Sequence, residues 1–87
     1  SKSGILNLTR YLSTYWAKKM VRVNSLTLAG VFNDQDKDFL DAYTSRIPIG
    51  RMAEKNEYNG AVIFLASSAS QYMTGSNLVV DGGWTAI

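Results

Sequence analysis

Apolar positions at the front of the chain recur at helical spacing. Ile5, Leu8, Leu12, Tyr15 and Trp16 follow one another at three, four, three and one residues, a stripe that predicts an amphipathic helix. Leu6 and Tyr11 lie on other faces, so this helix is expected to be covered on more than one side. Lys18 and Lys19 stand where it should end and suit its negative pole. The pattern then changes. Met20 to Leu28 is rich in β-branched and aliphatic residues and alternates poorly, as expected of a strand covered on both faces in a parallel sheet. Ala29 and Gly30 end it. Asn33 and Asp34 are candidate caps for a short helix around Phe39, Leu40 and Tyr43. Ile47-Pro48 stops that helix, because a residue before proline avoids helical angles. A second stripe, Tyr58, Ala61, Val62 and Leu65, predicts another helix, with Glu54 and Glu57 near its positive pole and Gly60 inside it. Gly60 costs up to about 1 kcal/mol against Ala, which close approach to a sheet would explain. Leu78-Val79-Val80 reads as a short buried strand before a Gly-Gly turn.

The order is helix, strand, short helix, helix, strand, tail. Two strands joined by so long a connection are parallel neighbours. Two parallel strands with apolar faces belong in a wider sheet of five or six. The expectation is therefore an α/β domain of which residues 1–87 supply the C-terminal part.

Composition agrees. At 87 residues the chain makes at most one small domain, yet 46% of it is hydrophobic and 18% charged, against roughly 25% charged in a typical domain. Two Trp, five Tyr and three Phe call for cover from one another, from a further segment or from a second copy. The net charge of +2 comes with acids and bases interspersed, which is no footprint for nucleic acid or an anionic membrane. Without Cys or His there is no disulfide framework and no common metal constellation. No apolar run approaches the roughly 18 residues of a membrane helix. A cytoplasmic protein is the expectation.

Five stretches carry a resemblance: Ser1-Lys2 opening a helix, "VRVNS" entering a strand, "IPIGRMAE" before the next helix, "AVIFLAS" within it, and "TGSNLVVDGG" at the end. In order and spacing the chain resembles the C-terminal part of the short-chain dehydrogenase/reductase family. The resemblance implies a doubly wound parallel-sheet Rossmann fold that binds NAD or NADP at the carboxyl edge of its strands. This chain would supply the last two strands and their helices. It also implies hydride transfer between nicotinamide and a small-molecule carbonyl or alcohol substrate, in a homo-dimer or homo-tetramer. The glycine-rich turn and the catalytic Ser and Tyr would lie upstream.

Lys2 matches the lysine of the family's Tyr-x-x-x-Lys motif, with the tyrosine three residues before Ser1. A phenol titrates near 10 and is a poor acid–base catalyst at neutral pH; a fixed cation on the same helix face lowers that value. Lys2 is thereby the candidate catalytic residue, and the resemblance adds hydrogen bonds from it to the nicotinamide ribose. The loop after the first strand, which meets the nicotinamide carboxamide in the family, reads Leu28, Ala29, Gly30, Val31, Phe32, Asn33 here. Val31 keeps the family's residue, while Leu28, Ala29 and Asn33 replace its proline, glycine and threonine. Leu28, Ala29, Gly30, Val31 and Asn33 are the candidate cofactor-binding residues. Ala29 threatens affinity if that position needs φ above zero, freedom that Gly30 then supplies. Phe32, Phe39, Leu40 and Tyr43 occupy the place of the substrate loop, and Trp84 lines the same cleft or a subunit interface. The altered loop also supports a second reading, a non-catalytic module that keeps only an oligomerisation surface.

Overall fold

A computed structural model describes residues 2–87, with side chains from residue 3 onward. Lys2 opens the first helix, but the Ser1-Lys2 assignment, which turns on the lysine side chain, lies outside the described residues. Helix α1 spans Lys2–Trp16, strand β1 Ser25–Leu28, α2 Lys37–Thr44, α3 Asn59–Ala66 and β2 Asn77–Val80. β1 and β2 are parallel, in register from Ser25 opposite Asn77 to Leu28 opposite Val80. The expected order and the parallel pairing are both present.

The apolar stripe of α1 does not form its packed face. Ile5, Leu8 and Tyr15 are 60%, 54% and 64% exposed, whereas Thr9 and Ser13 are buried. Both hydroxyls bond back to their own helix, Thr9 Oγ1 to the Ile5 carbonyl at 2.8 Å and Ser13 Oγ to the Arg10 carbonyl at 2.7 Å. Small residues there let the helix approach Gly75, where a Cβ would lie 2.7 Å from Ser13 Oγ.

The first strand is shorter than the pattern predicts. Residues 21–24 are not ladder residues: the Val23 carbonyl keeps a backbone bond from the Gly75 amide at 2.8 Å, and side chains take over the rest. Val23 N–H donates to Thr74 Oγ1, and Asn24 bridges the Met73 carbonyl and the Ser76 amide. The guanidinium of Arg22 meets the Leu65 and Ser67 carbonyls at the end of α3 and the Ser70 hydroxyl, placing a cation at the helix's negative pole. β2 alternates half-buried and exposed, with Val79 46% exposed. The sheet is thus not covered on both faces among the described residues.

Two caps also differ from expectation. Asp36, not Asn33 or Asp34, caps α2 by accepting the Asp38 amide at 3.1 Å. α2 ends at Thr44, before Pro48 can act. Gly60 has no close neighbour, for a Cβ there meets nothing within 4 Å; close approach does not explain it.

The buried apolar core is Ile47, Met52 and Tyr58. It sits under the Gly82-Gly83 turn, whose φ angles of 64° and 93° favour glycine. Cβ atoms at these two positions would strike Ile49 and Pro48, so the "IPI" segment and the turn close tightly on each other.

Candidate functional site

The carboxyl ends of both strands open on one edge. Ala29, Gly30, Ile47, Tyr58, Asp81 and Gly82 line a cavity of ≈ 130 Å³ there. The loop that leaves β1 passes over it and is held at several points. Val31 forms a parallel bridge with Ala53: the Ala53 amide donates to the Gly30 carbonyl at 3.2 Å, and the Phe32 amide to the Ala53 carbonyl at 2.8 Å. The buried Tyr58 donates its hydroxyl to the Ala29 carbonyl at 3.2 Å.

In this geometry Val31 itself turns its N–H and C=O away from Ala53. The carbonyl accepts from Gln35 Nε2 at 2.9 Å, and Gln35 Oε1 accepts the Asn33 amide at 2.8 Å. The Val31 N–H has no hydrogen-bond partner among the described residues. The loop therefore offers the Val31 N–H, unpartnered among the described residues, to an acceptor arriving at the carboxyl edge.

Ala29 has no positive φ, and neither has Gly30. The alanine is compatible with the backbone it occupies, and Gly30 does not serve as a source of conformational freedom. Space demands it instead. A Cβ on Gly30 would lie 2.7 Å from Tyr43 Oη and 2.8 Å from its Cζ. Leu28 ends the strand with 39% of its surface exposed, and Asn33 is exposed.

Of the residues expected on the substrate side, Phe39 and Tyr43 come together. Their rings stack 5.8 Å apart at 23°, and Tyr43 stacks on Trp84 at 5.1 Å and 12°. Asp81 supports Trp84 from below. Its Oδ1 accepts the Gly83 amide at 3.0 Å, and its Oδ2 accepts the Thr85 amide and hydroxyl at 3.1 and 2.7 Å. The Thr85 hydroxyl bond, ahead of the backbone ones, holds the carboxyl below its ordinary range. Phe32 does not join this stack. It lines a separate depression with Asn33, Glu54 and Asn56. Leu40 sits half-buried on α2.

On the far side of the cavity Arg51 and Glu57 pair through both guanidinium nitrogens, Nη2 reaching Oε2 at 3.0 Å. This partner, then the Glu54 amide, lowers Glu57 to about 2. Gln35, Ala53 and Asp81 were not singled out from the sequence, and Tyr58 was read only as part of a helical stripe. Each acts through a bond to a backbone carbonyl or amide in a loop, and no periodicity reports such a bond. Among the described residues no group of His, Cys, Asp and Glu is arranged to hold a metal ion, and no helix is long and apolar enough to cross a membrane.

Known proteins are similar to this chain in sequence and fold. A family model described as enoyl-(acyl carrier protein) reductase matches residues 1–85. The ribulose-forming D-arabinitol 2-dehydrogenase of Candida albicans is 42% identical over 97% of this chain and 33% of its own length. The NADP-dependent mannitol dehydrogenase of Hypocrea jecorina is 39% identical over 98% of this chain and 33% of its own. The chain thus spans about a third of the length of these relatives. The crystal structure of a short-chain dehydrogenase from Leptospira borgpetersenii with bound NAD+ superposes with a TM-score of 0.90 at 44% identity, covering 97% of this chain and 33% of that one. The parallel pair, its helices and the strand-edge loop are thus the corresponding part of a Rossmann-type dehydrogenase fold, and the chain belongs to the short-chain dehydrogenase/reductase family.

Proposed function

We propose that the chain serves an NAD- or NADP-dependent oxidoreductase that interconverts an alcohol and a carbonyl, with polyols and their ketoses as the substrate class. The observation that carries this reading is the unpartnered Val31 N–H at the carboxyl edge of the parallel strands. A nicotinamide carboxamide presents a carbonyl oxygen that such a donor fits. When bound, the nicotinamide supplies or accepts the hydride. The residues of this chain hold and orient it: Val31 through its amide, with Leu28, Ala29, Gly30 and Asn33 shaping the loop around it.

Lys2 is proposed to stand one helical turn after the proton-transferring tyrosine, where its ammonium group favours tyrosinate and lowers a phenol pKa from near 10. Phe39, Tyr43 and Trp84 form the aromatic wall on the substrate side. The names of the arabinitol and mannitol dehydrogenases support polyols, and the NAD+-bound relative supports the cofactor class. The outward apolar residues Ile5, Leu8 and Tyr15 of α1 support cover by further sequence of the domain and by a second subunit of a homo-oligomer, and we place the enzyme in the cytoplasm.

The test, run on the full-length protein with any sequence upstream of residue 1 included, is titration with NADH and with NADPH, followed by the nucleotide's own fluorescence, together with turnover of arabinitol and mannitol. Saturable binding of one nucleotide and reduction of NAD+ or NADP+ by a polyol are expected. Absence of nucleotide binding removes the reading. Binding without turnover favours the non-catalytic module.

A further inference from the structure

The two polar groups of Gly30 are held by different elements. Its carbonyl accepts from the Ala53 amide at 3.2 Å. Its amide donates to Tyr43 Oη at 2.7 Å. The ring that carries this hydroxyl stacks on both Trp84 and Phe39, which restricts its movement. The fit is steric as well as polar, since the ring fills the space a Cβ on Gly30 would need.

The Gly30 carbonyl and the Val31 N–H belong to one planar trans peptide and point in opposite directions. Fixing Gly30 at both ends therefore aims the Val31 donor. Ala53 bonds the Gly30–Val31 peptide itself, while Tyr43 bonds the preceding Ala29–Gly30 peptide, whose carbonyl takes Tyr58, so the planes on both sides of Gly30 are tied and its φ and ψ have little room. We propose that Tyr43 is a positioning residue: it joins α2, on the substrate side, to the loop after β1 and thereby orients the Val31 amide toward the cofactor. The inference rests on the cofactor-binding reading of that loop. Tyr43 was expected to cover substrate or to pack its own short helix, and neither role needs the hydroxyl that Gly30 uses here.

The test compares Tyr43→Phe with wild type in the purified full-length protein, any sequence upstream of residue 1 included. Phe keeps the stack and removes only the hydroxyl. Without cofactor, amide hydrogen exchange at Gly30 should accelerate about fivefold or more, the change expected from loss of one hydrogen bond, while the far-ultraviolet circular dichroism stays that of wild type and the melting temperature falls by no more than about 4–8 °C. The Kd for NADH should rise by a similar factor. A second pair of variants reads the steric fit. Gly30→Ala should weaken NADH binding in the Tyr43 background, and its penalty should shrink at least about threefold in a Tyr43→Ser background, where the methyl group has room. If wild type binds NADH but Gly30 exchange and Kd are unchanged by Tyr43→Phe, or the two Gly30→Ala penalties are equal, the role of Tyr43 is overturned. If wild type binds neither NADH nor NADPH, the cofactor reading fails and the positioning role fails with it.

Discussion

Arg22 Nη2 donates to the Leu65 carbonyl at 3.1 Å, so a side chain just ahead of β1 closes the end of α3. Its other nitrogen reaches Ser70 Oγ at 3.1 Å and the Met73 carbonyl at 3.4 Å. A guanidinium fork can satisfy several acceptors at once, whereas an ammonium is a single point. Hydrogen bonds from charged donors contribute about 1.5–3 kcal/mol. Arg22→Ala should therefore lower stability by about 2–3 kcal/mol, and Arg22→Lys should recover less than half of that. Urea unfolding checks both. The midpoint should fall while the slope holds, as a change in stability rather than in compactness requires.

A second prediction concerns the loop donor. Val31→Pro removes one N–H and nothing else from the backbone bonding, because the bridge to Ala53 uses the Gly30 carbonyl and the Phe32 amide. Proline is tolerated at such an unpaired edge position. NADH binding should weaken about tenfold, at the upper end of what one hydrogen bond contributes, with the circular dichroism unchanged. Val31→Ala, which keeps the N–H, should bind within about twofold of wild type. Equal weakening in both variants would assign the effect to the valine side chain instead.

Acid should loosen the edge of the cavity. Glu57 is held at about 2 by Arg51 and then the Glu54 amide, below the roughly 4.3 of an unfolded glutamate. A carboxylate with a depressed folded-state pKa contributes stability that is complete above its unfolded value and is lost as pH falls toward the folded one. Asp81 is depressed as well, chiefly by the Thr85 hydroxyl, and adds to the slope in the same direction. Melting temperature should thus fall between about pH 4.5 and 2, and Glu57→Gln should flatten part of that fall. The Arg51–Glu57 pair is exposed, so salt near 1 M should reduce its share. A slope unaffected by Glu57→Gln would leave Asp81 as the group responsible.

Among the described residues the hydrophobic pattern was enough to place the two parallel strands and the three α-helices, because aliphatic and β-branched runs and helical stripes are local signals. It failed where a side chain replaces backbone pairing. Residues 21–24 look like strand, yet Arg22 and Asn24 divert the bonding to α3 and to the 73–76 turn. It also turned α1 outward-in. Ile5, Leu8 and Tyr15 are apolar but exposed, and the packed residues are Thr9 and Ser13, which only the position of Gly75 explains. At the candidate site the resemblance pointed to Val31, and its N–H is unpartnered among the described residues. The reason for Gly30 was not, since it depends on a ring thirteen residues away in the chain. Gln35 and Tyr58 act on loop carbonyls, and such bonds have no sequence period.

Two glycines allow the sign of one substitution to be predicted in opposite directions. Gly60 lies in the first turn of α3, exposed, with open space where a Cβ would go and no positive φ. Alanine there restricts the unfolded chain and suits the helix, so Gly60→Ala should raise stability by about 0.5–1 kcal/mol. Gly75 has φ 76°, and a Cβ would lie 2.7 Å from Ser13 Oγ. Gly75→Ala must then carry left-handed strain of about 1–2 kcal/mol and push α1 from the 73–76 turn. Adding Ser13→Ala should recover the steric share and leave the strain. Thermal unfolding of the three variants separates these effects. If Gly60→Ala destabilised, α3 would have to be packed at that point against a surface beyond the described residues. If Ser13→Ala failed to improve Gly75→Ala, backbone strain alone would account for the glycine, and the close approach of α1 would not.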